Sequence, residues 1–444
     1  MVEVCTIGGY SEVGKNMTAI KDGDEVILLD MGINVSKMIN FEEEEGIKRE
    51  KADVSRLVRG NVIPDDRFIK DWWPKVKGIV CSHCHLDHVA AIPFLADKYN
   101  CPIMGTPYTI EVIKTLLNEE GIKIRNKLIP IDINKSHKLT NNIEIELINV
   151  THSTPQSAII AVHLKKGTIL YTNDFKFDNS PVMGQKPNYQ RLKQLGNENV
   201  LAVFVDSLYS NSERKTPSER VARELLKDVM LGTENQDKLI IATTFASHLA
   251  RIRSIIDFGK QLNRKIVMLG RSMFKYTDAA ERIGLVGYSK EAEIISYARL
   301  IKKKLHEIEQ NRSKYLIICT GNQGEPEAVL SRIADNRYKL RFQPEDHILF
   351  SCKTIPEPNN IRNRAILEEK LKQKKARIFT DLHASGHCGR EDIRDLLKMI
   401  KPQHIFPSHG DNHKLMGTAE LASEMGYLIG KNIHVMEDGK RITI

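Results

Sequence analysis

The segment CSHCHLDHVA, residues 81–90, places His83, His85, Asp87 and His88 within six positions of a chain that has 15 histidines among 444 residues. GIVCSH reads as a strand, and alternation along it turns His83 and His85 to one side. The turn into the helical run HVAAIPFLADKY brings Asp87 and His88 to a neighbouring point. Two imidazoles converging on one spot, with a carboxylate and a third imidazole beside it, suit two metal ions rather than one. Cys84 alternates to the opposite face and reads as packing, neither a thiolate ligand nor half of a CxxC pair with Cys81.

A two-ion site needs more ligands, and candidates stand at the ends of other apolar runs. His152 follows INVT, Asp174 ends LYTND, and His409 follows HIFPS. An anionic oxygen of Asp174 suits a bridge between two cations. Strand ends are the usual place for site residues in open α/β sheets. The positioning elements are short apolar runs: EVILLD (25–30), KGIVCSH (77–83), IEIELINV (143–150), GTILYTND (167–174) and LAVFVD (201–206). LIIATTF (239–245), KIVMLG (265–270), YLIICT (315–320), HILFSC (347–352) and RIFTDL (377–382) continue the series. Amphipathic helical stretches separate them, the pattern of an α/β protein. In TPSERVARELLKDVM, Thr216 is the expected N-cap, Pro217 the first helical residue and Glu219 the closure of a capping box. Residues 36–66, with FEEEEGIKREKADVSRLVRG, carry charge without a clear apolar stripe and read as a solvated insertion. After Asp206 the strand–helix pattern restarts with more Lys and Arg, which marks a second α/β unit.

With 41% hydrophobic and 28% charged residues the chain has an ordinary soluble composition. No run approaches the roughly 18 apolar residues of a membrane span, and MVEVCTIGGY lacks a signal-peptide layout, so a cytoplasmic protein is expected. The charge of +9 and a pI near 9.0 favour a polyanionic partner such as nucleic acid. Seven cysteines without a regular framework suit reduced thiols.

The order and spacing of LLDMG, SHCHLDH, THSTPQS, TNDFK and PSHG resemble the metallo-β-lactamase superfamily. VDSLYS, TFASH, LGRSM, CTGNQGEP and LHASGHCGRED resemble its β-CASP branch, whose members cleave nucleic acid. GNQGEP and HASGH are most similar to ribonuclease J, and the shorter form resembles the archaeal group. The resemblance implies a metallo-β-lactamase αβ/βα sandwich with an inserted α/β β-CASP domain, divided as 1–206, 207–358 and 359–444. It assigns one metal to His83, His85 and His152, the other to Asp87, His88 and His409, with Asp174 bridging. Zinc is the usual ion, and all-N/O ligands also admit manganese. Asp30 supports the site without ligating, and Asp206 pairs with His387 near the metals. Two departures stand out: Cys84 replaces a small residue, and Asn322 stands where the family often has Ser.

The chemistry expected of such a site is phosphodiester hydrolysis. Two divalent cations lower the pKa of a shared water and neutralise the phosphodiester. Asp87 orients the attacking water, and His387, kept cationic by Asp206, protonates the leaving oxygen. The Gly-rich turn of CTGNQGEPEAV, with its helix opening at Glu325-Pro326, offers backbone N–H groups to phosphate. By resemblance, Gly321, Asn322, Gln323 and Gly324 join His383, Ser385 and Gly386 in holding a 5′-terminal monophosphate at a fixed reach from the ions. His248 and Arg271 are further candidates for RNA backbone contact. The expected activity is a 5′-to-3′ exoribonuclease on single-stranded RNA, with a 3′-end-processing endonuclease as the alternative. Single-stranded DNA and a second copy of the chain are additional candidate partners.

Overall fold

The computed structural model describes residues 1–45 and 53–444. Two units of close internal packing emerge: residues 1–179, 185–216 and 386–444 form the first, and 180–184 with 217–385 form the second.

The first unit holds two sheets. The seven-stranded sheet runs in the order Lys440–Thr443, Val2–Gly8, Met17–Asp22, Glu25–Leu29, Val76–Val80, Ile103–Gly105 and Leu128–Pro130. The six-stranded sheet runs His404–Ser408, Val200–Asp206, Gly167–Thr172, Ala158–Leu164, Glu144–Asn149 and Lys135–Lys138. One apolar core draws on both sheets: Val4, Ile27 and Val80 from the first, Leu147, Ile160 and Phe204 from the second. A second core covers the outer face of the six-stranded sheet with the helices Tyr189–Leu195, Arg390–Ile400 and Asn412–Glu424. Both faces of this sheet are thus buried, and Val200–Asp206 is accordingly apolar almost throughout.

Strand direction decides where the site forms. Glu25–Leu29 and Val76–Val80 are parallel, so Asp30 and the 81–88 segment leave the sheet at the same edge. In the other sheet Gly167–Thr172, Val200–Asp206 and His404–Ser408 are mutually parallel, with Asp206 opposite Ser408. Glu144–Asn149 is antiparallel to Ala158–Leu164, which is antiparallel to Gly167–Thr172. His152, Asp174, Asp206 and His409 therefore all sit at carboxyl ends of co-directional strands.

The second unit is built on a six-stranded parallel sheet in the order Glu293–Ile295, Lys265–Leu269, Tyr315–Cys319, Ile240–Thr243, His347–Phe350 and Arg377–Phe379. Its core includes Leu239, Val267, Leu305, Ile317, Phe350 and Leu371. By internal packing the two units divide at 216/217 and 385/386, beside the expected joints at 206/207 and 358/359. The physical reason is that Arg377–Phe379 pairs with His347–Phe350, and Pro358–Gln373 buries Leu367 and Leu371 in the same core.

Two local expectations are corrected. The helix expected from Thr216 spans Glu219–Gly232, with Ser218 as N-cap accepting from the Arg220 N–H. Thr216 instead donates to the His387 carbonyl, and Glu219 turns inward to Arg251. The charged insertion begins and ends in the helices Val35–Glu45 and Val54–Arg59, which bury Met38, Phe41 and Leu57. Its residues 46–52 lie outside the described residues.

Candidate metal centre

The strand expected to carry His83 stops at Val80, so His83 and His85 project from a loop rather than from alternate strand positions. A short helix, Leu86–Val89, follows and carries Asp87 and His88. Even so, the imidazoles converge. His83 Nε2 lies 3.1 Å from His85 Nδ1, which lies 3.1 Å from His152 Nε2. Asp174 Oδ2 is 3.6 Å from His83 Nε2 and 3.7 Å from His152 Nε2. The same carboxylate reaches a second group: its Oδ2 is 3.2 Å from His88 Nε2 and its Oδ1 is 3.7 Å from His409 Nε2. Asp87 Oδ2 completes that group at 3.5 Å from His88 Nε2 and 3.9 Å from His409 Nε2. Each set has all its ligating atoms within 4.8 Å of one another, and Asp174 belongs to both.

Backbone strain helps to aim these groups. Asp30 (φ 57°), Asp174 (φ 57°) and His409 (φ 58°) each take the left-handed conformation within two residues of a strand's end. Non-glycine residues adopt it at a cost that the surrounding structure must offset, and such residues cluster at functional sites.

Hydrogen bonds on the outer ring nitrogens fix which nitrogen faces inward. His88 Nδ1 donates to Asp30 Oδ2 at 2.7 Å, and Asp30 also accepts from the Ser82 N–H and hydroxyl. The Ser82 hydroxyl lies 3.0 Å from His83 Nδ1. His152 Nδ1 donates to the Gly386 carbonyl at 2.8 Å, and His409 Nδ1 to Asn16 Oδ1 at 3.0 Å. Four Nε2 atoms are thereby left to converge, the usual preparation of imidazoles for a metal.

The electrostatics agree. Burial, reinforced by neighbouring imidazoles, holds His83 and His152 well below the ordinary histidine range, and His85 falls to about 4. Burial by itself would raise Asp174, but His409, His88 and His387 outweigh it and hold the carboxyl well below its usual range. Buried Asp174 Oδ1 has no hydrogen-bond partner. A buried anionic oxygen left so, among imidazole nitrogens, fits a cation. The residues present therefore fit a metal centre.

Beside it, His387 Nδ1 lies 2.8 Å from Asp206 Oδ2 and 4.0 Å from Asp174 Oδ2. Burial pulls this imidazole down, yet Asp206 and Asp174 prevail and raise it to about 9. Cys84 is buried with its sulfur 3.1 Å from the Thr154 hydroxyl, as packing requires.

Residues 11–206 match the metallo-beta-lactamase superfamily, 237–368 the family described as "Ribonuclease J, beta-CASP domain", and 373–436 the "Zn-dependent metallo-hydrolase RNA specificity domain". Ribonuclease J of Methanocaldococcus jannaschii is 43% identical over 99% of this chain and 98% of its own length. Ribonuclease J of Pyrococcus abyssi is 40% identical over 100% of this chain and 97% of its own. The chain belongs to the ribonuclease J family. Ribonuclease J of Helicobacter pylori is 30% identical over 100% of this chain, which spans 61% of that longer protein. A crystal structure of a protein of unknown function from Enterococcus faecalis V583 superposes with a TM-score of 0.68 at 17% identity, covering 100% of both chains. That likeness speaks for the fold alone.

Gly321 (φ 118°) and Gly324 (φ 77°) make the turn after Tyr315–Cys319, and the helix begins at Val329 rather than at Glu325-Pro326. Glu325 Oε2 accepts from the Gln323 N–H at 3.0 Å. The Gln323 side chain bridges the Lys353 carbonyl and the Ile355 N–H, and the Asn322 carbonyl accepts from Arg364 at 2.7 Å. His383 is pushed down to about 2 by burial and by Arg251, so it is neutral. His383 and Ser385 belong to the second unit and Gly386 to the first. His248 is only 3% exposed, with Nε2 3.4 Å from Glu219 Oε2. Arg271 is exposed at the start of the helix Arg271–Arg282. Among the described residues no helix is long and apolar enough to cross a membrane. Sequence reasoning missed Asn16 and Ser82, whose roles come from contacts that short polar side chains do not announce.

Proposed function

We propose that the chain is a two-metal ribonuclease that degrades single-stranded RNA from its 5′ end, preferring a 5′ monophosphate. The observation that carries this is the sharing of Asp174 by two four-residue groups, with one of its buried oxygens unpartnered. The names of the full-length relatives support RNA as substrate, and the zinc-dependent hydrolase description supports zinc, with manganese also suited to N/O ligands. His83, His85, His152 and Asp174 would hold one ion; Asp87, His88, His409 and Asp174 the other. When bound, the ions supply an activated water and positive charge beside the phosphodiester.

The chain's own residues do the remaining work. Asp87, with its side chain 22% exposed, is open to solvent and orients the water by accepting its hydrogen bond. His387 Nδ1 stays hydrogen-bonded to Asp206, which fixes the ring and leaves its Nε2 proton for the leaving oxygen. The ester and thioester hydrolases that share the metal motifs would have no use for the basic second unit.

The test uses internally labelled RNA carrying a 5′ monophosphate, triphosphate or hydroxyl, with wild-type protein and Asp87→Ala. Mononucleotides released from the monophosphate substrate alone, and lost in the variant, are expected. Discrete internal fragments, equal for all three 5′ ends, would overturn the exonuclease reading in favour of an endonuclease.

A further inference from the structure

Residues 9–16, GYSEVGKN, join the antiparallel strands Val2–Gly8 and Met17–Asp22. Gly14 (φ 88°) and Lys15 (φ 54°) are both in the left-handed region. The Lys15 side chain is 5% exposed, with its ammonium 2.7 Å from Glu12 Oε1 and 3.1 Å from Asp438 Oδ2. Glu12 also accepts from Asn34, Asn61 and Lys37 at 2.6, 2.8 and 2.8 Å. The charged residues of the loop are thus spent on holding its backbone, and the side chain it offers to the metal centre is Asn16.

Asn16 is 1% exposed. Its Oδ1 accepts from His409 Nδ1 at 3.0 Å, and its Nδ2 donates to the Asp87 carbonyl at 3.0 Å and lies 3.1 Å from His88 Nε2. Its backbone N–H reaches the same Asp87 carbonyl at 3.0 Å, and its carbonyl accepts from the Gly32 N–H at 3.0 Å. One amide therefore touches Asp87, His88 and His409. The outer nitrogens of His83 and His152 are served by Ser82 and Gly386 instead. The space is tight: a β-carbon at Gly9 would come 2.5 Å from Asn16 Oδ1, and one at Gly32 would come 1.6 Å from the Asp87 carbonyl. An acceptor opposite Nδ1 requires the proton to sit there, so Nε2 of His409 faces the centre with its lone pair.

We infer that Asn16 is the positioning residue of the second cation, setting the tautomer of His409. The inference rests on the two-cation reading above. Ion-free protein titrated with Zn²⁺, followed by calorimetry and elemental analysis, tests it. Wild-type protein should take up two equivalents. Asn16→Leu, similar in size but without polar atoms, should bind the first equivalent as wild type does and the second about 10–100-fold more weakly. Asn16→Asp, which keeps the acceptor for His409, should hold the second equivalent more tightly than Asn16→Leu.

Two equivalents bound by Asn16→Leu with wild-type affinity would overturn the inference, as would loss of the second equivalent to the same degree in both variants. If Asn16→Leu does not fold, Asn16→Asp decides alone: retention of the second equivalent supports the role, and its loss refutes it. Wild-type protein that takes up no second equivalent would overturn the two-cation reading itself, and this inference with it.

Discussion

Replacing Glu219 by Gln should unfold the second unit at a markedly lower temperature. Arg251 is 0% exposed, among the largest fully buried side chains of the chain. Its guanidinium donates to both Glu219 oxygens, at 2.5 and 2.7 Å, and to the carbonyls of Ser351 and Leu382 at 2.7 and 3.0 Å. Burial alone would raise Glu219, but Arg251 and His248 overcome it and hold the carboxyl well below its usual range. Glutamine keeps the shape, removes the counter-charge and turns an N–H₂ toward a cation. Breaking a buried pair from one side costs about 3–5 kcal/mol. Because glutamine retains one acceptor, the low end, about 3 kcal/mol, is expected. For a unit of this size that lowers the midpoint by about 6–12 °C.

Differential scanning calorimetry at neutral pH measures this directly, with Glu327→Gln as the control. Glu327 pairs with Arg337 while 73% exposed, and its loss should leave the midpoint unmoved. The pH dependence follows from the sign of the shift. A depressed carboxyl contributes stability above its unfolded value of about 4.3, and that contribution is lost as pH falls below it. The gap between wild type and variant should therefore narrow in acid. A midpoint within about 2 °C of wild type at neutral pH would mean under 1 kcal/mol and would refute the argument.

Three further outcomes are expected. His387→Gln should slow RNA cleavage by about 10²–10⁴-fold while elemental analysis finds the metal content unchanged; reduced metal content would show that His387 serves the ions instead. Gly386→Ala sets a β-carbon 2.7 Å from the Ser153 nitrogen and 2.9 Å from His152 Nδ1, so the loop must shift away from the ring it orients. Zinc affinity should fall by about 10–100-fold, and unchanged titration curves would contradict the orienting role of the Gly386 carbonyl. Asp30→Ala leaves His88 Nδ1 and two Ser82 donors without their acceptor, and a similar loss of zinc affinity is expected, read by the same titration.

Much of the sheet framework was legible because apolar runs with turn residues at their ends need only local information. Each of the ten expected strands coincides with an observed one, though most end one to three residues early, as in Val76–Val80, which stops three residues short of His83. The shortened ends matter, since His83 and His85 converge from a loop that alternation does not describe. The histidine and aspartate side chains were legible by type and by their place after apolar runs. What was not legible is what aims them: the left-handed backbone at Asp30, Asp174 and His409, and the outer partners Asn16, Ser82 and the Gly386 carbonyl. These depend on contacts between segments far apart in the chain, such as His409 with Asn16. Glu219 shows the same limit. Its spacing from Thr216 matched a capping box, but the energy gained by pairing with buried Arg251 outweighs a cap that Ser218 supplies anyway. The joint at 385/386 was hidden because Arg377–Phe379 extends the second sheet without a change in composition.

The most direct test of the account is the number of divalent cations held per chain by purified protein and by Asp174→Asn. The shared carboxylate predicts two ions in wild type and a loss reaching both groups in the variant. Wild-type protein that holds no ion, and gains no phosphodiester cleavage when zinc or manganese is supplied, would contradict it.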